Sequence, residues 1–305
     1  MKPDQYTIEE RTVAVGDGHE LYTQAWGNPN AKQTFIFLHG GPGSGCSDSS
    51  KTIFDPQKHR VIFFDQRGCG KSTPYGSIKN NTTNDLINDL ATIADEYGVK
   101  TFVLFGRSWG ACLALAFALK HPTRVTQMII GGVFTGSQSE IDHMEKGRFA
   151  IFFPEVWDQY VATVPRSYQD NPSEYHFKRM FGDDVTAAQE SAMAHSQLEL
   201  SVLRLDDRVT DVDSLKFDPL PNIIESHYLA NGCFMPDNHI LDNANKLTMP
   251  IYIVQGRYDM VCPPINAYRL SQQAPNATLL WTAAGHDSKD RSNWETARAL
   301  LATIS

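Results

Sequence analysis

Ser108 sits at the centre of Gly106-Arg107-Ser108-Trp109-Gly110, with a glycine two residues away on each side. A serine hydroxyl is a weak nucleophile until a base takes its proton, so this placement predicts a histidine and an acid further along the chain. Where a strand turns at once into a helix, Gly-x-Ser-x-Gly lifts the hydroxyl clear of the backbone; the turn leaves no room for side chains on its flanks. The apolar run Phe102–Phe105 and the Ala/Leu-rich stretch from Ala111 to Lys120 supply that strand and that helix. Asp259 in Gly256-Arg257-Tyr258-Asp259 and His286 in Gly285-His286-Asp287 then follow in the order serine, acid, histidine. Each comes directly after an apolar run, Ile251–Val254 and Ala277–Trp281, which puts it at the C-terminal end of a strand, where an open parallel sheet carries its site. His286 is expected to act as general base and then acid, with Asp259 fixing its tautomer and stabilising the imidazolium. Asp287 and Asp290 are rivals for the acid, but neither follows a strand in the required order.

Acyl transfer also needs two N–H donors for the oxyanion. His39-Gly40-Gly41-Pro42-Gly43 follows the apolar run Thr34–Leu38 and can bring bare backbone to a ligand oxygen. The amides of Gly41 and Trp109, the latter next to the nucleophile, are the expected oxyanion donors. A second glycine-containing segment, Asp65 to Ser72, lacks the Gly-x-x-x-x-Gly-Lys-Ser/Thr spacing of a phosphate cradle. It is expected to be a structural loop near the site, held by an Arg67–Asp65 pair, with Cys69 a packed thiol.

These residues must be positioned by alternating strands and helices. The candidate strands are Thr12–Val15, Glu20–Trp26, Thr34–Leu38, Val61–Phe64, Phe102–Phe105 and Met128–Gly131, with helical patterns at Asn84–Tyr97 and Trp109–Lys120. The later runs are almost continuously β-branched or aromatic, as strands buried on both faces are. From about Gly136 to Asn245 strand-like runs vanish and Pro- and Asp-rich breaks divide a helical pattern, at Pro154, Pro165, Asn171-Pro172, Gly182–Asp184 and Asp218–Pro221. Strand–helix alternation resumes at Ile251 and ends on the helical stretch Asn293–Ile304. The expected fold is α/β, a mostly parallel sheet covered by helices, with a helical insertion between two sheet strands.

The 305 residues can bury a large core, and 41% hydrophobic with 20% charged residues is an ordinary globular balance. A net charge of −8 argues against nucleic acid or an anionic membrane surface as partner. The polar stretch Met1–Glu10 lacks the apolar core of a signal peptide, and no window approaches the roughly 18 apolar residues of a spanning helix. Five cysteines, at 46, 69, 112, 233 and 262, form no paired spacing and are expected to be free thiols in a reducing compartment, hence a cytoplasmic protein. Neither Cys-x-x-Cys nor His-x-x-x-His occurs, which argues against a metal site.

Taken together, the segments resemble a prolyl aminopeptidase (proline iminopeptidase) of the α/β-hydrolase superfamily over nearly the whole chain. The resemblance rests on His39–Gly43, Asp65–Ser72, Ser108-Trp109-Gly110, Phe152-Phe153-Pro154-Glu155-Val156-Trp157, Ile224-Glu225-Ser226-His227-Tyr228, and Val254–Asp259 running into Val261-Cys262-Pro263-Pro264. It implies an α/β-hydrolase core at residues 1–135 and 246–305 and a helical cap at 136–245. It also implies cleavage of an N-terminal residue, usually proline, from small peptides without metal or cofactor. Glu199 and Glu225 match acidic cap residues that bind the substrate's amino group, and Phe134 matches a residue lining the apolar pocket for the proline ring. An exopeptidase must recognise a chain end by its cationic amine, and two carboxylates that repel each other when empty would be neutralised by it. Two positions depart from the family pattern. His195-Ser196-Gln197-Leu198-Glu199 stands where the family usually has Trp-Ser-x-Trp-Glu, which removes two rigid walls, and Arg107 stands where glycine is usual. Beside the prolyl aminopeptidase stand two rivals: an aminopeptidase, amidase or esterase of broader range, and a non-catalytic binding protein of the same fold, against which the intact Ser108–Asp259–His286 set speaks.

Overall fold

The computed structural model describes residues 3–205, 213 and 216–304. Its first half comprises β1 (Thr7–Gly16), β2 (His19–Gly27), β3 (Thr34–Leu38), the single turn α1 (Asp48–Lys51), β4 (Arg60–Phe64), α2 (Thr83–Glu96), β5 (Phe102–Ser108), α3 (Trp109–Lys120) and β6 (Val125–Val133). Helices α4 (Gln138–Glu145), α5 (Pro154–Ala162), α6 (Pro172–Met180), α7 (Val185–Val202), α8 (Leu220–Ala230) and α9 (His239–Asp242) follow. The chain then returns through β7 (Ile251–Gly256), α10 (Pro264–Gln273), β8 (Ala277–Thr282) and α11 (Arg291–Thr303).

The eight strands form one sheet in the order β1-β2-β4-β3-β5-β6-β7-β8. Pairings β1–β2 and β2–β4 are antiparallel and every later one is parallel, so the C-terminal ends of β3, β5, β6, β7 and β8 share one edge. Helix α3 carries an almost wholly apolar sequence because it is buried nearly all round. It shares one apolar layer with α2 and α10, through Leu86, Leu90, Leu113, Phe117 and Leu270. The opposite face is covered by α11 and the segment before β4, through Phe35, Phe54, Phe63, Phe105 and Leu301.

Several of the proline breaks seen in the sequence are helix starts. Pro154 and Pro172 open α5 and α6, where the missing N–H would have had no intrahelical partner. Asp184 caps α7 by accepting from the Ala187 amide at 3.0 Å. Helices α5 and α7 enclose a small apolar core of their own, made of Phe149, Val156, Tyr160, Leu198 and Val202.

Two expectations are corrected. The first strand begins at Thr7, not Thr12; Thr7–Arg11 is polar because its alternate residues face solvent, and pairing with β2 sets its true length. Arg67 does not pair with Asp65. Its guanidinium binds the buried Asp89 of α2, at 2.7 and 2.8 Å. Asp65 instead joins its own loop to the one after β3, accepting from the Lys71 and Cys46 amides at 2.8 and 2.6 Å. A buried guanidinium needs an equally buried carboxylate, and burial pushes the Asp89 carboxyl up to about 6 against the opposing pull of Arg67.

Candidate active site

The turn from β5 into α3 holds Ser108 at φ 56° and ψ −126°, a left-handed conformation that costs a residue with a β-carbon on the order of 1–3 kcal/mol. Packing enforces it. A methyl group on Gly106 would lie 2.3 Å from the Gly110 carbonyl oxygen, and one on Gly110 would lie 2.1 Å from that of Leu38. The chain therefore crosses itself where only two hydrogens fit, and the serine side chain is left facing outward.

The loops after β7 and β8 deliver Asp259 and His286. Asp259 is buried, and its Oδ1 accepts from the Cys262 and Val261 amides at 2.7 and 3.1 Å. Its Oδ2 accepts from Gln255 Nε2 at 3.1 Å and lies 2.9 Å from His286 Nδ1. With four donors the carboxylate is fully engaged, and a proton on Nδ1 leaves the His286 Nε2 lone pair free for a substrate or nucleophile proton. Burial pulls the His286 imidazolium down, but the Asp259 charge and hydrogen bond outweigh it and hold the ring above its ordinary 6.5. The rival acids are engaged elsewhere: Asp287 binds Arg204 at 2.7 Å and Asp290 accepts from the Gly285 amide at 2.7 Å. Ser108 and His286 line one cavity; among the described residues no hydrogen bond joins them, and the Ser108 hydroxyl borders the buried Cys262 thiol instead.

On the other side of Ser108, the loop after β3 is tied down by Gln66, a residue with no local sequence signal. Gln66 Nε2 donates to the His39 carbonyl at 3.0 Å, its amide donates to His39 Nε2 at 3.0 Å, and its Oε1 accepts from Trp109 Nε1 at 2.9 Å. One side chain thus fixes both the Gly40–Gly41 segment and the first residue of α3. Trp109, at the helix start, has an N–H with no partner four residues back. Gly41 has φ 104°, and a methyl group there would lie 2.5 Å from the Gly43 amide, so only glycine fits.

Two cavities meet at Ser108, and the residues that line both are Gly41, Ser108, Glu199 and Glu225. The inner one has apolar walls from Phe134, Ile141, Met144, Leu198, Leu229 and Val261. The outer one reaches Arg107, His286, Asp287 and the serine-rich segment Ser44–Ser50. Phe134 stands directly after β6 on a turn fastened by Glu140, which accepts from the Thr135 and Ser137 amides at 3.0 and 3.1 Å. Glu199 on α7 and Glu225 on α8 are half-buried and line both cavities. Burial, then the charges of Glu199 and Glu145, push the Glu225 carboxyl well above its usual range.

The sequence offered no sign of the last feature. Glu145, at the end of α4, and His195 of α7 form a buried pair, Nε2 to Oε1 3.0 Å, in the wall of the inner cavity. Burial opposes charge on His195, but Glu145 prevails and raises it above 6.5. The imidazole and its carboxylate partner thus put a hydrogen-bonded polar pair into an otherwise largely apolar wall.

The comparisons agree with this geometry. A family model described as the alpha/beta hydrolase fold matches residues 33–290. A proline iminopeptidase of Xylella fastidiosa is 37% identical over 300 residues, covering 96% of this chain and 95% of that one. A proline iminopeptidase of Arabidopsis thaliana is 36% identical over 286 residues, covering 91% and 75%. Among solved structures, a proline iminopeptidase of Mycobacterium smegmatis superposes with a TM-score of 0.64 at 19% identity, covering 97% and 98% of the two chains, which shows a shared fold. With a serine elbow, a hydrogen-bonded Asp–His pair and relatives matched over more than nine tenths of this chain, the protein belongs to the α/β-hydrolase fold family and, within it, to the proline iminopeptidases.

Proposed function

We propose that the protein is a serine exopeptidase that releases an N-terminal residue, preferably proline, from small peptides through an acyl-enzyme. The meeting of the two cavities at Ser108, Gly41, Glu199 and Glu225 carries this assignment. The scissile carbonyl sits at the junction, the first side chain enters the apolar inner cavity against Phe134, and the departing peptide lies in the outer one. The substrate's amine is held by Glu199 and Glu225, which limits cleavage to one residue from the chain end. Residues 136–245 act as a cap domain over a core of 1–135 and 246–305. The names carried by the relatives support the same substrate class.

Ser108 Oγ attacks the carbonyl carbon while His286 Nε2 takes the hydroxyl proton, drawing serine and histidine into a hydrogen bond as substrate fills the site. The Gly41 and Trp109 amides hold the oxyanion. On collapse the C–N bond breaks, His286 returns the proton to the leaving amine, and the acyl group stays on Ser108. Water then adds with His286 again as base, and the free amino acid departs. The −8 net charge supports peptide partners over nucleic acid. The five cysteines, all described and all free, support a cytoplasmic setting; no helix among the described residues is long and apolar enough to cross a membrane.

Release from Pro-naphthylamide, compared with its N-acetylated form, tests the amine recognition. The free-amine substrate is expected to be cleaved at least about 100-fold faster, because acetylation leaves both carboxylates without their cation; equal rates would end the assignment. The polar Glu145–His195 wall and the slimmer Leu198 favour a second reading, an aminopeptidase of wider range. A panel of aminoacyl-naphthylamides separates the two: proline leads by roughly tenfold in kcat/KM in the first and does not in the second.

A further inference from the structure

We propose that Arg107 is a positioning residue for the His286 base, holding its backbone carbonyl and placing a fixed positive charge beside the Asp259–His286 pair. The inference rests on the assignment of His286 as base. Arg107 Nη2 donates to the His286 carbonyl oxygen at 3.0 Å, across a sequence separation of 179 residues. The side chain reaches there over β6, where Arg107 pairs in register with Gly131. A methyl group on Gly131 would lie 2.3 Å from Arg107 Nη1, and one on Gly132 would lie 2.9 Å from His286 Cε1. Two consecutive glycines thus clear a passage shared by guanidinium and imidazole.

The opposite side of the same peptide is also held, since the His286 and Asp287 amides donate to the Leu203 carbonyl at 3.0 and 3.2 Å. With its carbonyl bound to Arg107 and its amide to Leu203, the His286 main chain is fixed along both hydrogen-bonding directions. Arg107 faces Asp259 from the loop after β7, Asp287 and Asp290 from the loop after β8, and the Cys262 thiol. His286 faces Asp259, Arg107 and, from α7, Glu199. In that setting burial lowers the imidazole, the carboxylates raise it, and among the neighbouring charges Arg107 is the one that lowers it. A cation here keeps the ring neutral, and so competent as a base, to lower pH than Asp259 alone would allow.

Arg107→Gln and Arg107→Lys, assayed on Pro-naphthylamide across pH, test the proposal. Arg107→Gln is expected to lower kcat roughly tenfold with KM changed less than about twofold, and to move the acid limb of kcat/KM upward by on the order of half to one pH unit. Arg107→Lys, which keeps the charge but not the planar donors, is expected to leave the acid limb within about 0.3 units of wild type. An acid limb unmoved in Arg107→Gln, or a change in KM alone, overturns the proposal. If Arg107→Gln fails to fold, an acid limb displaced in folded Arg107→Lys by as much as a unit overturns it too, and an undisplaced one supports it. Ser108→Ala and His286→Ala, measured alongside, separate the two levels. Activity within about tenfold of wild type in His286→Ala sinks the assignment of the base itself, whereas a loss of several orders of magnitude in both together with a silent Arg107→Gln sinks only the role of Arg107.

Discussion

Glu225 illustrates a residue kept against the interest of the empty fold. Its carboxyl is pushed up by burial and by Glu199 and Glu145, so ionising it in the unliganded protein works against stability. A raised folded-state value means that the folded chain holds this proton more tightly than the unfolded chain does. The contribution is favourable below the ordinary carboxylate range, about 4.5, and is lost as pH rises through the folded value. Glu225→Gln is therefore expected to raise the melting temperature of the substrate-free protein by on the order of 2 °C at pH 8 and by less at pH 5. The same change is expected to lower kcat/KM for Pro-naphthylamide about 10- to 100-fold, since a charge-assisted bond to the substrate amine is lost. Scanning calorimetry at the two pH values, with parallel kinetics, checks both; equal melting shifts at pH 5 and 8 would contradict the origin given to them.

At the scale of elements, the site depends on how closely β3, β5 and α3 approach one another. Gly110→Ala would set a methyl group against the Leu38 carbonyl, which belongs to backbone and cannot swing away. The expected cost is about 1–3 kcal/mol in urea unfolding, together with slower labelling of Ser108 by a fluorophosphonate probe as the turn opens. A variant of wild-type stability and labelling rate would show that the crossing is looser than drawn. This element was legible in the sequence because its constraint is local: Thr34–Leu38 and Trp109–Lys120 stand in the structure with the bounds that their apolar pattern implies. The same locality explains why Ser108, Asp259 and His286, each just past an apolar strand, stand out as candidates from their order alone. What could not be read was pairing across the chain. Arg67 with Asp89, Gln66 with Trp109 and Glu145 with His195 lie 22, 43 and 50 residues apart, and no pattern near either partner distinguishes it from any other polar residue. The polar start of β1 was missed for a related reason, since a solvent-facing edge strand owes its form to β2 rather than to its own hydrophobicity.

For the molecule as a whole, the loop that carries His286 and the helix that carries Glu199 are mechanically joined. Helix α7 carries Glu199 and ends at Val202; the next residue accepts the His286 and Asp287 amides, and Arg204 then binds Asp287. A methyl group on Gly285 would lie 3.1 Å from the Leu203 carbonyl oxygen, so the histidine loop lies flat against the helix end. On the proposed function, a shift of α7 as Glu199 closes on a substrate amine would therefore be felt at His286. The Arg204–Asp287 pair is partly exposed, so it contributes no more than about 1 kcal/mol to folding, and Arg204→Ala is expected to unfold within that margin of wild type. Its effect should fall on coupling instead. Amide exchange at His286 and Asp287 is expected to quicken severalfold, and kcat to fall by a factor of roughly three to ten while fluorophosphonate still reaches Ser108. Hydrogen exchange with and without proline separates coupling from simple loosening. In wild type, ligand binding at the carboxylates should slow exchange at 286 and 287, and in Arg204→Ala that protection should shrink. Exchange at those two amides that ignores the ligand in both proteins would mean that α7 and the histidine loop touch without communicating.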